Sequence, residues 1–297
     1  MHWDIALAGS VVGGVIGLTG MGGGALMTPM LVIFFHINPS AAISSDVVAS
    51  FVLKPIGGGV HIRRRTVNWR LVRWLSIGSV PAAFLGAYLI DEVANRGLEN
   101  RIKEILGAVL LVAALAMLAK VVVQARRHAN TAGMMDPSLV RPVPTLLIGV
   151  AGGFIVGMTS VGSGSLMIVM LLVLYPMLSS REMVGTDLVQ AIPLVGSAAL
   201  GHILFGHLQL DLTTSVLVGA IPGVYVGARI SAVASDRYIR PTLVAVLTIS
   251  ALKLLNASNA VLLGATGVAI AALTVAFVAS IRSKRASRLQ DDARLMS

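Results

Sequence analysis

A lysine stands inside the apolar run "SFVLKPIGG" at residues 50–58. A charged side chain at the centre of a hydrophobic segment costs about 2.5–3.5 kcal/mol where that segment enters a membrane, so such residues mark function by default. Three roles fit Lys54: a positive charge for a bound anion, a partner for Asp46 two helical turns earlier, or a snorkelling side chain reaching an interface. Asp46 follows "SS" and Asp187 follows "GT". Each is placed either to cap a helix start or to serve proton coupling or gating. Gln190 lies close behind, and Pro55 and Pro193 are expected to kink their helices and free backbone carbonyls. His61 and His202 suit a gate or a proton carrier near neutral pH, and suit an interfacial anchor equally well. Carboxylates are not clustered around either histidine, so no metal site is expected. The chain has no cysteine, which excludes disulfides, thiol catalysis and cysteine-ligated metal. No cofactor is expected.

Glycine supplies the second signal. Residues 18–31 read "LTGMGGGALMTPML", and each glycine costs a helix about 1 kcal/mol relative to alanine. Half-helices starting near Gly22 and Gly162 would aim free N–H groups and positive dipole ends at an anion. Thr19, Thr159, Ser163 and Ser165 would add hydroxyl donors. The competing reading is that the glycines only allow close helix packing. Two enzyme-like motifs fail. "GMGGGA" at 20–25 follows no expected strand, so it is no dinucleotide fingerprint. "GSGS" at 162–165 has Val161 two residues before Ser163, where an intramembrane serine protease wants glycine. The chain is read as no enzyme.

The elements that must position these residues are helices in a bilayer. Of the 297 residues 56% are hydrophobic and only 12% charged, against about 25% charged in soluble domains. Nine continuous apolar segments are expected: 5–36, 43–61, 71–90, 102–123, 143–176, 184–206, 211–232, 238–256 and 259–281. Continuity argues against a β-barrel, whose strands alternate. The net charge of +10 is read as orientation-setting residues at membrane ends, not as a nucleic-acid surface. The N-terminus lacks a basic region and a clear cleavage site, so it reads as retained.

The first and fifth segments are too long. A helix of that length spans about 50 Å against a hydrocarbon core of about 30 Å. They also match each other: residues 13–31 align with 153–171 at nine of nineteen positions. The series continues with Asp46 on Asp187, His61 on His202, Gly78 on Gly219, Pro81 on Pro222 and Gly86 on Gly227. The chain therefore reads as a duplication: first membrane repeat 1–123, cytoplasmic linker 124–142, second repeat 143–256, an extra transmembrane helix 257–281 and a basic tail 282–297. If the two long segments turn back at their glycines, eighteen Lys and Arg fall on one side and four on the other, with Lys54 inside the membrane. The positive-inside rule selects that arrangement. It gives an all-α membrane protein with about seven full crossings and two re-entrant broken-helix hairpins. The N-terminus is then periplasmic and the C-terminus cytoplasmic. Three crossings per half make the repeats inverted, a common build of secondary transporters.

The paired "GLTGMGGGALMTPML" and "GMTSVGSGSLMIVML", each followed by an aspartate-bearing helix, a histidine and a "GSVPAAFLGAYL"-like segment, resemble the sulfite exporter TauE/SafE family. The likeness covers about residues 5–256. It implies a bacterial inner-membrane permease for sulfite, organosulfonates such as sulfoacetate, or other sulfur-containing anions, with the site at Thr19, Gly22, Gly23, Gly24, Thr159, Gly162, Ser163 and Gly164. The second half departs from the glycine-rich pattern at Ser160, Ser163 and Ser165. The expectation is a secondary transporter working by alternating access, in a lipid bilayer, with protons as the coupling ion where uptake is driven. The alternatives are an anion channel with the same site and a carrier of a non-sulfur organic anion.

Overall fold

The computed structural model describes residues 2–19, 23–126, 139–231 and 236–267, and among them every regular element is a helix. The order is α1 (Trp3–Thr19), α2 (Gly24–Phe34), α3 (Pro39–Arg63), α4 (Trp69–Asn95), α5 (Glu99–Arg126), α6 (Pro142–Thr159), α7 (Leu166–Leu174), α8 (Ser180–Phe205), α9 (Leu210–Ser231) and α10 (Asp236–Leu254). A further helical stretch, α11, covers 259–267. Most of the linker, the remainder of the extra helix and the basic tail lie outside the described residues, as does Gly22. Among the described residues six helices are long and apolar enough to cross a membrane. Large apolar side chains such as Leu7, Val11, Leu115, Val173 and Leu204 point outward, which only an apolar surrounding tolerates at this density. The protein is a multi-pass helical membrane protein.

Local signals set the helix starts. Pro39 stands in the first turn of α3 after Asn38, where its missing N–H costs nothing. The Asn68 side chain caps α4 by accepting from the Leu71 N–H. Ser179 accepts from the Glu182 N–H at the start of α8, in the spacing of a capping box. These boundaries correct one expectation. Asp46 and Asp187 do not cap their helices, because α3 and α8 begin about two turns before these aspartates, at Pro39 and Ser180.

Small residues knit the bundle. Gly219, Gly223 and Gly227 of α9 lie on the backbone of Ala6, Ser10 and Gly14 of α1. Gly149, Gly153 and Gly157 of α6 lie on Leu75, Ser79 and Ala83 of α4 in the same way. A Cβ at any of these six glycines would overlap backbone atoms of the facing helix. Such spacing lets helices approach closely where the solvent offers no hydrophobic drive between them. Residue numbers rise together along both seams, so α1 runs parallel to α9 and α4 parallel to α6. Helices α3 and α8 cross in the opposite sense: Gly58 meets Leu188 and Ile192, and Gly196 meets Phe51.

The chain reverses at the second glycine-rich break, whereas residues 20–22 of the first lie outside the described residues. Helix α7 returns along α6: Gly152 faces Met167 and Met170. At its end the Tyr175 hydroxyl lies 2.5 Å from Thr145 Oγ1 and accepts the Arg141 N–H at 2.8 Å. Thus α7 finishes beside the start of α6. In the first half α2 runs back along α3, with Gly23 beside Ser50 and Asp46 and Thr28 bonded to Asp46.

Candidate functional site

The two breaks meet. Gly24, at the start of α2, lies so close to the Ser160 carbonyl that a Cβ there would overlap it. Ser160 holds a left-handed backbone at φ 60°, and Gly162 and Gly164 follow at φ 118° and 101°. Glycine takes such angles freely, whereas a non-glycine residue held there costs on the order of 1–3 kcal/mol and clusters at functional sites. The first-half residue aligned with Ser160 is Gly20, which lies outside the described residues.

Around this meeting point polar side chains converge from both halves. The Thr28 hydroxyl donates to Asp46 Oδ2 at 2.5 Å, and Ser50 donates to Oδ1 at 3.4 Å. The Ser160 side chain also bonds Asp46. Lys54 Nζ donates to Ser163 Oγ and lies within the fields of Asp187 and Asp46. Lys54, Asp46 and Asp187 are all buried. Lys54 therefore does not snorkel; it crosses from α3 to the second break. Gln190 on α8 is buried and donates to Ser79 Oγ of α4 at 2.6 Å, which ties the two helices together beside the cluster.

The remaining expected residues divide. Ser163 and Ser165 are buried in the second break. Helix α7 begins at Leu166 with Ser165 in the cap position, so this half-helix starts four residues later than the glycine pattern predicts. Thr159 shapes the break itself: its hydroxyl donates to the Ile155 carbonyl at 2.7 Å and accepts the Val161 N–H at 3.2 Å. Thr19 ends α1, and its side chain is outside the described set. The two histidines lie apart from this centre. His61 bonds Thr66 Oγ1 at 2.9 Å. His202 is fully buried against Asp91, Nδ1 to Oδ2 3.0 Å, which excludes an interfacial anchor for it. Among the described residues no group of three or more His, Asp or Glu side chains is placed to hold a metal.

The sequence reading missed three participants. Thr28 sits in an apolar stretch beside Pro29 and is an ordinary helix residue until α2 folds back on Asp46. Ser50 lies one turn after Asp46 on the same face, which the i, i+4 spacing did contain. Asp91, in "AYLIDEV", falls just past the apolar segment ending at 90 and reads there as the start of a polar loop.

Such a centre offers one ammonium, several hydroxyls, two carboxylates and the first-turn amides of two half-helices. These helix ends carry a partial positive charge, although the Leu166 and Met167 N–H groups of α7 already donate to the Gly162 carbonyl and that of Leu26 in α2 to the Gly23 carbonyl. The set suits recognition of a small oxyanion.

The chain is 37% identical over 257 residues to the probable membrane transporter protein YjnA of Bacillus subtilis, covering 86% of this chain and 100% of the relative. It is 26% identical over 227 residues to the probable membrane transporter protein YdhB of the same organism, covering 76% of this chain and 88% of the relative. No solved structure matches. A model of the sulfite exporter TauE/SafE family matches residues 5–254, and the chain belongs to that family.

Proposed function

We propose that this chain is a secondary transporter that moves sulfite or a small organosulfonate such as sulfoacetate across the bacterial inner membrane by alternating access. The observation that carries the reading is the meeting of the two breaks at Gly24 and Ser160, with Lys54 of one half bonded to Ser163 of the other. Irregular backbone at membrane depth is tolerated only where it faces protein or a water-filled cavity. Broken helices in corresponding places of two halves are where transporters bind substrate.

An inverted repeat is supported by the pairing of elements. The α1–α9 seam places a first-half helix on a second-half one, and the α4–α6 seam repeats that pairing with the halves exchanged. Helices α3 and α8, which carry the aligned Asp46 and Asp187, cross antiparallel between the seams, as two elements astride a two-fold axis in the membrane plane must. The return of α7 along α6, with the matching break in the first half, supports two re-entrant hairpins and hence seven full crossings, with the repeats at 1–123 and 143–256 and Arg63, Arg64 and Arg65 on the cytoplasmic side.

Charge at the centre favours protons as the coupling ion. Two carboxylates and one ammonium leave the ionised cluster at a net negative charge, only partly offset by two half-helix dipoles of about +0.5 each. An anion entering that cluster is opposed by Coulomb repulsion in a poorly screened interior. Protonation of Asp46 or Asp187 removes the opposition, so anion and proton enter together.

The test is a thermal-shift screen of sulfite, sulfate, thiosulfate, sulfoacetate and taurine against carboxylate controls, followed by counterflow in proteoliposomes. Sulfur anions are expected to stabilise the protein and to show trans-stimulation. Stabilisation by carboxylates alone overturns the substrate class. Flux without trans-stimulation identifies a channel.

A further inference from the structure

His202 lies near the end of α8, and three other helices meet its ring. Nε2 is 2.9 Å from the Gly157 carbonyl of α6. Nδ1 is 3.0 Å from Asp91 Oδ2 of α4 and 3.1 Å from Ser44 Oγ of α3. His202 and Asp91 side chains are both 0% exposed.

These distances fix the protons. A carbonyl only accepts, so Nε2 carries a hydrogen. The Ser44 hydroxyl donates to the Ser40 carbonyl at 2.9 Å, so its contact with Nδ1 needs a hydrogen on that ring nitrogen as well. The ring is then an imidazolium, and the buried Asp91 carboxylate, which has no hydrogen-bond partner among the described residues, faces it as the counter-charge. The pair therefore holds one proton more than a neutral imidazole and a carboxylate, and it is electrically neutral.

We propose that the His202–Asp91 pair is a proton-binding site separate from the anion centre, occupied while α4 and α8 are in contact and emptied when they part. In the release step the Nδ1–H bond breaks and the proton passes to water; nothing is oxidised or reduced. Release leaves one uncompensated carboxylate charge. A lone buried carboxylate is strongly disfavoured, so the emptied site does not stay buried and opens to water. Proton release and separation of the two helices are thus one event. That the event admits substrate rests on the transporter reading above; the occupied proton site does not.

The surroundings isolate the pair. On α3 the nearest carboxylate, Asp46, is engaged by Thr28 of α2. On α5 Glu99 is bonded to Ser40 at 3.0 Å. On α4 Glu92 is tied to Arg96 at the surface and Tyr88 faces outward. His207, beyond the end of α8, is exposed. Helix α6 presents only its carbonyl. The site has no twin: His61, aligned with His202, meets Thr66 and the charge of Arg64 instead of a carboxylate.

The decisive variant is Asp91→Asn. Its amide donates to Nδ1 and keeps the contact without an exchangeable charge. Sulfoacetate counterflow is measured in proteoliposomes across the neutral pH range, for wild type, Asp91→Asn and His202→Gln. Wild-type rates are expected to depend on pH several times more steeply than the variant rates, the remaining dependence of the variants belonging to the central aspartates. The melting temperature against pH, which needs no substrate, is expected to fall with rising pH more steeply in wild type than in Asp91→Asn. Identical pH dependence in wild type and a folded variant overturns the proposal, and so does a wild type flat in both measurements. Absence of sulfoacetate transport with the melting behaviour intact overturns the substrate reading and leaves the proton site standing.

Discussion

Lys54 on α3 donates its ammonium to Ser163 in the break before α7, so the buried cation of the first half is anchored in the second. A bound oxyanion offers that ammonium a better acceptor than a neutral hydroxyl, and charge-assisted hydrogen bonds are roughly twice as strong as neutral ones.

Lys54→Met keeps the length and apolar stem of the side chain and removes the charge. Loss of a charged hydrogen bond of about 1.5–3 kcal/mol predicts anion affinity lower by roughly ten- to hundredfold, read as a lost thermal shift with sulfoacetate. Ser163→Ala leaves the ammonium and is expected to change affinity by much less. Equal affinities in Lys54→Met and wild type remove this lysine from the site.

Gly24 and Gly59 make a paired test of the meeting point. A Cβ at Gly24 overlaps the Ser160 carbonyl, while one at Gly59 meets nothing within 4 Å. Gly24→Ala is expected to push the two breaks apart, lowering both stability and transport. Gly59→Ala, in a helix with free space, is expected to hold or gain up to about 1 kcal/mol. Full transport activity in Gly24→Ala means that the breaks do not need this contact.

How much of this was legible beforehand depends on whether the signal is local. The glycine breaks, Lys54 and the aligned aspartates stand out because each violates the apolar pattern around it. The return of α7 was readable only through charge: folding back both long segments is what would gather the arginines on one side. Thr28 and Asp91 were not readable, because a threonine beside a helical proline and an aspartate at the edge of an apolar run are both ordinary until distant helices reach them. Asp46 and Asp187 were misplaced as caps for the opposite reason. Their flanking small polar residues imitate a helix start, but α3 runs on through "SAAISS" as a buried, tightly packed turn, where small size matters more than cap chemistry.

The absence of native cysteine makes the topology directly measurable. Arg64→Cys and Arg96→Cys introduce single thiols at the ends of α3 and α4. With membrane-impermeant maleimide on whole cells, Arg96→Cys is expected to label and Arg64→Cys only after lysis. Labelling of Arg64→Cys in intact cells inverts the orientation. Labelling of both means that α4 does not cross.

Tyr175 tests the return of α7. Its hydroxyl, buried with the rest of the residue, accepts the Arg141 N–H and pairs with Thr145, pinning the end of α7 to the start of α6. Tyr175→Phe preserves the ring packing and leaves the part-buried Arg141 N–H and the buried Thr145 hydroxyl short of a partner. Unmet buried donors cost about 1–3 kcal/mol each, although Thr145 still reaches the Arg141 carbonyl at 2.6 Å. The net loss is expected to be about 1–2 kcal/mol, visible as a lower melting temperature, with transport reduced because the second break is held by the hairpin that follows it. Tyr225→Phe is the control, since Tyr225 is exposed and meets Arg229 through its ring face, which phenylalanine retains. If the two variants melt together at the wild-type temperature, α7 is held by its apolar contacts alone, and the geometry of the break is set from α8 rather than from α6.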